Sequence, residues 1–263
     1  MCGACQACND CCTCATGVLP YAANPLDYLA FQGAPADDIY YGIELEVECA
    51  SGYSPEKKAI DVLDNREGFL ICKHDGSLRN GFELVTAPCS LDVHQQTWPV
   101  LLTRKVTQGL ESWKHTTTGL HIHVSRNPLT QLTIGKIVVF MNSMANRRFL
   151  VALAGRNDVT GYAKFKTKTL DTAHIRNNDR YEVVNLQNHG TIEFRLFKGT
   201  LNIRHILADI EFVDAIVHWA IVCDVADIEN WRAFMAWTMS NNTDGKYDDF
   251  VSYMAKKGYI ACA

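Results

Sequence analysis

The alternation of Ile43, Leu45 and Val47 with Glu44, Glu46 and Glu48 constrains this chain more than any other feature. Strict alternation specifies a β-strand with one apolar face and one polar face. Successive carboxylates on that polar face stand about 6–7 Å apart, and like charges at that spacing repel unless solvated or neutralised. Three further segments repeat the pattern. Glu83 lies opposite Phe82 and Leu84, and His121 and His123 lie opposite Leu120, Ile122 and Val124. Glu193 and Arg195 lie opposite Ile192, Phe194 and Leu196. Taken singly, each has an ordinary explanation as a solvent face or a cross-strand ion pair. Taken together, carboxylates and imidazoles converging from several strands are the makings of a divalent-metal site.

Oxygen-rich ligation with few imidazoles favours Mg²⁺ or Mn²⁺ over zinc, and Mg²⁺ held by carboxylates typically works on phosphates. Phosphoryl chemistry also needs cationic groups facing the transferring group, and Arg195, Arg180 and Arg156 are the candidates. The sequence contains no P-loop, no G-x-G-x-x-G and no kinase signature, so a nucleotide would be bound from a sheet. Cupin-type sites share His-x-His but want a Glu about four residues later, where "VSRNPLTQ" stands here. Glu48, the third acid of the first strand, is expected to be solvated.

The chain of 263 residues suits one large domain or two small ones. A formal net charge of −4 gives no general electrostatic case for nucleic-acid binding. There is no run of 18 apolar residues for a membrane span, and no basic-then-apolar leader. A cytoplasmic protein is the expectation.

Residues 1–16 form a Cys-rich head and 17–37, with Pro20, Pro25, Pro35 and Gly33, a linker or extended lead-in. The body spans 38–263. Its first strand is 39–49. A helix follows with Ser54 as N-cap and Pro55 at the first position, then two strands around a turn at Asp75-Gly76. A helix interrupted or kinked near Pro99 leads to a strand carrying His121, His123 and Ser125. A long helix over 129–155 ends at Gly155, and a polar loop over 156–180 is long enough to be a binding loop or lid. A hairpin turned at Asn188-His189-Gly190, an apolar helix over 201–222, and helices near 227–240 and 246–257 complete the chain. The pattern predicts an α+β fold, with a largely antiparallel sheet and helices stacked on its other face.

In the head, Cys2, Cys5, Cys8 and Cys12 fit a ferredoxin-like spacing, with Thr13 where Pro is expected. Cys2, Cys5, Cys11 and Cys14 instead give paired C-x₂-C units of zinc type, with a spacer shorter than that of an ordinary ribbon. An unliganded, oxidation-prone tail is the third reading. A zinc-bearing head would serve protein docking.

The ordered segments "YGIELEVE", "KHDGSLRNGFELVTAP", "TTGLHIHVS", "GR…GYAKF" and "RYEVVNLQNHGTIEFRLFKGTLN" resemble the putative amidoligase family, a branch of the glutamine-synthetase-like carboxylate–amine ligases. The resemblance covers about residues 39–205. It implies a glutamine-synthetase-like catalytic domain with a curved, mostly antiparallel sheet. It also implies ATP, two or more Mg²⁺ ions, and small-molecule or peptide carboxylate and amine substrates. On it, Glu44, Glu46, Glu83 and Glu193 are metal ligands. One of His121 and His123 ligates metal while the other lies near nucleotide or substrate. Arg195 faces phosphate, Arg180 holds a place where the family tends to have an Arg, and Asp75, Ser77, Lys198 and Thr200 sit in family-like segments, with Lys198 and Arg156 assigned to the nucleotide. Two other functions fit the residues: a metal-dependent hydrolase using the Glu/His cluster, and an inactive binding protein that keeps the fold.

Overall fold

The computed structural model describes residues 17–64, 68–156, 163–175 and 179–260. Cys2, Cys5, Cys11 and Cys14, and with them the expected zinc site, lie outside the described residues. The chain divides into two compact units: residues up to Gly33 with Gly42–Leu120 and Gly199–Ile203, and Ala34–Tyr41 with His121–Lys198 and Arg204 onward.

The first unit contains β1 (Val18–Leu19), β2 (Tyr41–Cys49, from Gly42 on), α1 (Pro55–Leu63), β3 (Leu70–Lys73), β4 (Gly81–Thr86), α2 (Leu91–Leu101), α3 (Arg104–Thr107) and β5 (Leu110–Glu111). Its strands are ordered β1-β3-β4-β2, with β5 added to β2. Every pairing is antiparallel except that of β1 with β3. β1 comes from the extended lead-in, where Val18 lies opposite Cys72. The alternation reads as expected: Ile43, Leu45, Val47, Phe82 and Leu84 are fully buried on the apolar side of their strands. Ser54 caps α1 by accepting from the Lys57 N–H, and Pro55 occupies the first turn, where its missing N–H costs nothing.

The interruption expected near Pro99 falls just past it. α2 continues through Pro99 and stops at Leu102, and Thr103 opens α3. Trp98 and Leu101 are fully buried, and the Trp98 indole donates to His94 Nδ1 at 3.2 Å, so packing carries the last turn past the proline.

The second unit contains β6 (Gly119–Ser125, from His121 on), α4 (Gln131–Asn142), α5 (Arg147–Ala154), α6 (Leu170–Ala173), β7 (Val184–Asn185), β8 (Thr191–Lys198), α7 (Ile203–Val222), α8 (Trp231–Ser240) and α9 (Asp248–Lys256). Its strand order is β6-β8-β7, and β7 pairs antiparallel with β8, placing Asn185 opposite Glu193. The single helix expected over 129–155 is two helices, α4 and α5, bent by 84°. The break has side-chain causes. Asn146 Nδ2 donates to the Phe140 carbonyl and Asn142 Nδ2 to the Val138 carbonyl, while Ser143 Oγ accepts from the Ala145 N–H. Polar side chains thus occupy backbone groups that a continuous helix would pair internally. α5 ends as expected at Gly155, in the left-handed region (φ 64°). The polar loop contributes α6 and a bridge between Lys164 and Glu182.

The core of this unit is an aromatic cluster. Phe140, Phe149, Phe212, Phe234 and Phe250 are fully buried with edge-to-face or tilted contacts, such as Phe140–Phe234 at 5.2 Å. Burial of each such ring contributes about 1.5–3 kcal/mol. Across the described residues the fold is α+β with mostly antiparallel pairing, and no single helix is long and apolar enough to cross a membrane.

Candidate metal centre

In the first unit the β2–β4 register places Glu46 directly opposite Glu83 and Glu44 opposite Val85. Like charges directly opposite across a sheet destabilise it. Both acids are buried, Glu46 at 7% and Glu83 at 6% exposure. On its other side Glu83 faces Lys73 of β3. Beyond Lys73 the chain turns at Asp75, whose Oδ1 accepts from the Ser77 N–H at 2.7 Å and from the Ser77 hydroxyl. That turn folds Asp75 back over the strands. Ligand oxygens of Glu46, Asp75 and Glu83 consequently lie within 4.8 Å of one another.

Burial, and then the neighbouring carboxylates of Glu44 and Glu46, push the Glu83 carboxyl well above the usual carboxylate range, and Lys73 opposes this only in part. One side-chain oxygen of Glu46 accepts from the Gly119 N–H at 2.5 Å, and Ser112 Oγ donates to the Glu46 backbone carbonyl, so side chain and backbone are each held. Three hard oxygen donors, closely spaced and mutually repelling, suit a small divalent cation such as Mg²⁺. Asp75 is the ligand that strand periodicity misses, because it stands in a turn. The signal is its place between β3 and the Glu83 strand, where a tight connection must bring it near Glu83.

Glu48 overturns the expectation that it is solvated. It is 4% exposed, and its two oxygens accept the consecutive N–H groups of Arg79 (3.0 Å) and Asn80 (2.8 Å), with Thr117 Oγ1 at 3.3 Å. Gly81 follows, where a Cβ would stand 2.0 Å from the Val47 carbonyl oxygen, so no other residue fits. Glu48 is therefore a clamp on the backbone entering β4.

In the second unit Glu193 is 4% exposed. Its carboxylate accepts from Asn185 Nδ2 at 2.7 Å and pairs with the Arg195 guanidinium, and His121 Nδ1 stands 3.7 Å from Glu193 Oε1. Glu193, Arg195 and His121 are thus brought together, as their strand positions predict. His123 contacts Thr191 Oγ1 through Nδ1 at 3.1 Å. Arg156 donates from Nε to the Leu196 carbonyl (2.9 Å) and from Nη2 to the Phe197 carbonyl (2.8 Å), gripping the end of β8 by its backbone. Arg180 is exposed, with its guanidinium 5.1 Å from the Tyr181 ring centre, and Lys198 ends β8 partly exposed.

Strand periodicity does not reach the buried acids on α7. Asp209, Glu211 and Asp214 interrupt the mostly apolar run of that helix, and the interruption is the available signal. Glu211 accepts the Phe250 N–H at 2.9 Å and so serves as a cap for the first turn of α9. Asp214 accepts from the Tyr41 and Tyr247 hydroxyls and pairs with His218 and Lys246.

Residues 134–217 match a family model described as Putative amidoligase enzyme. The match bears out the family resemblance over that stretch and is to a ligase-type family of enzymes. It contains Arg156, Arg180, Glu193, Arg195 and Lys198, whereas Glu44, Glu46, Glu83, His121 and His123 precede it. No curated protein matches the chain.

Proposed function

We propose that this chain is an ATP-dependent carboxylate–amine ligase that forms an amide or peptide-like bond through an acyl phosphate. The observation that carries the reading is the Glu46–Asp75–Glu83 trio, an arrangement that repels itself without a cation. Glu46, Asp75 and Glu83 would hold the ion, with Glu44 two residues along the same strand face. A bound Mg²⁺ or Mn²⁺ supplies charge neutralisation for the phosphates of ATP. Glu193, with Asn185 and His121 around it, holds the Arg195 guanidinium in place to offset charge on the transferring phosphoryl group.

In the reaction a substrate carboxylate oxygen attacks the γ-phosphorus and ADP departs. The amine nitrogen then attacks the acyl carbon, phosphate leaves, and the amine gives up a proton to a nearby base. His123 is assigned to the substrate side of this chemistry and Lys198 to the nucleotide. Residues 38–263 would form the catalytic part, with the Cys-rich head as a docking element.

ADP release distinguishes the reading from its rivals. The ligase forms ADP and phosphate only when carboxylate and amine are both present, whereas a hydrolase turns over without ATP. Glu193→Gln and Arg195→Ala are each expected to lower turnover more than about 100-fold, the scale of losing a transition-state charge partner, with circular dichroism unchanged. Near-normal activity in either variant removes that residue from the site.

A further inference from the structure

A cavity of about 520 Å³ opens in the first unit between the start of α1 and the β3–β4 connection. Tyr53 and Glu56 form one side, and His74, Asp75, Arg79 and Asn80 the other. Asp75 belongs both to this cavity and to the acid trio, so the cavity adjoins the candidate cation position. The size is that of a small-molecule site.

Its lining carries both signs of charge. Arg79 is an exposed cation, His74 an exposed imidazole, and Glu56 an exposed carboxylate held below the usual range by the Ser54 hydroxyl. The walls are held rather than loose. Buried Glu48 accepts with its two side-chain oxygens from the N–H groups of Arg79 and Asn80, fixing the corner from which the Arg79 side chain extends. The Tyr53 hydroxyl accepts from Gln108 Nε2 at 3.3 Å. Burying a carboxylate to fix two exposed residues has a desolvation cost, and it is recovered functionally if those residues must present a defined geometry to a ligand.

We propose that this cavity binds the carboxylate substrate and that the substrate is zwitterionic, an amino acid or the end of a short peptide. Arg79 takes a carboxylate, Glu56 takes the ammonium group, and Glu48 is the positioning residue behind Arg79. The assignment rests on the ligase reading and names the substrate class for it.

The test incubates the intact protein with ATP, Mg²⁺, hydroxylamine and each proteinogenic amino acid in turn, alongside N-acetylated, carboxamide and amine-free carboxylate controls. Hydroxylamine attacks an acyl phosphate at carbon, releasing phosphate and leaving a hydroxamate that is read directly. Hydroxamate is expected from one or a few amino acids, at least tenfold less from the N-acetylated form, and none from amine-free carboxylates. Arg79→Ala should raise KM for that amino acid at least tenfold with a smaller change in kcat, and Arg79→Lys should recover part of it. Mg²⁺ binding measured by calorimetry on the same samples should be unchanged in both variants. Hydroxamate from amine-free carboxylates alone, from no amino acid, or with a KM indifferent to Arg79→Ala overturns the proposal. If hydroxamate still forms in those cases, from amine-free carboxylates or with a KM indifferent to Arg79→Ala, an acyl phosphate is being made and the ligase reading stands; if no carboxylate gives hydroxamate, that reading falls as well.

Discussion

Glu83 in the first unit and Asp214 in the second are almost equally buried, at 6% and 3% exposure, and their surroundings are opposite. Glu83 faces Glu46 across the sheet and shares its neighbourhood with Glu44 and Asp75. Asp214 accepts from the hydroxyls of Tyr41 (2.9 Å) and Tyr247 (2.7 Å), and pairs with Lys246 at 2.9 Å and His218 at 3.2 Å. Burial alone would raise both. For Glu83 the neighbours add to that rise. For Asp214 the hydrogen bonds and charges of His218 and Lys246 outweigh burial and hold the carboxyl at about 2. One acid is built into the fold with its counter-charges supplied, and the other is placed where the fold supplies too few. A buried carboxylate of the second kind is a candidate for work on something that comes from outside.

The contrast breaks first at Asp214. Asp214→Ala leaves two buried hydroxyls and two cations facing a void, and should destabilise the protein by about 3–5 kcal/mol in urea denaturation. A loss below the scatter of ordinary surface substitutions would show that the network is ornamental. Glu83→Gln should do far less to the fold. With chelator present it exchanges a carboxyl that burial and its neighbours already push toward the neutral form for a neutral amide, so stability should change by no more than about 1 kcal/mol, while the response to Mg²⁺ is abolished. If chelated Glu83→Gln is strongly destabilised instead, the acid is structural and the contrast with Asp214 disappears.

The smallest effect is on pH. Burial lowers the His218 pKa, but its bonds and charge interaction with Asp214 dominate and carry it to about 9. A folded pKa above the unfolded value, about 6.5, gives stability that is complete below pH 6.5. That stability is lost as pH rises through about 9. The melting temperature should therefore decline across that window, and His218→Gln should flatten the decline. Asp37, which contacts His218 Nε2 at 2.7 Å, and Lys246 also face the pair, so both belong in the interpretation.

Period-two alternation exposed β2, β4, β6 and β8 because each has one buried apolar side, and that property is local. The Ser54-Pro55 start of α1 and the Gly155 end of α5 were legible for the same reason. The bend between α4 and α5 was not. It uses no Gly or Pro, and it depends on Asn142, Ser143 and Asn146 turning their side chains onto backbone groups. Glu48 looked like its neighbours because alternation reports which face a residue occupies, not what meets it there. What meets it is the backbone at Arg79 and Asn80, set by the β2–β4 pairing. Asp75 escaped for the complementary reason, since turns have no period and its proximity to Glu83 arises only once β3 and β4 pair. The family match over 134–217 spans Glu193 and Arg195 without assigning either a role, and leaves the acid trio to stand on its own geometry.

The measurement that reaches the central claim most directly is the melting temperature of the unaltered protein and of Glu83→Gln, each with chelator, with Mg²⁺, and with Mg²⁺ plus ATP. The account predicts that Mg²⁺ raises the melting temperature of the unaltered protein, that ATP raises it further only when Mg²⁺ is present, and that Glu83→Gln responds to neither. A melting temperature indifferent to Mg²⁺ with and without ATP, or a Glu83→Gln protein that responds as the unaltered one does, would contradict it.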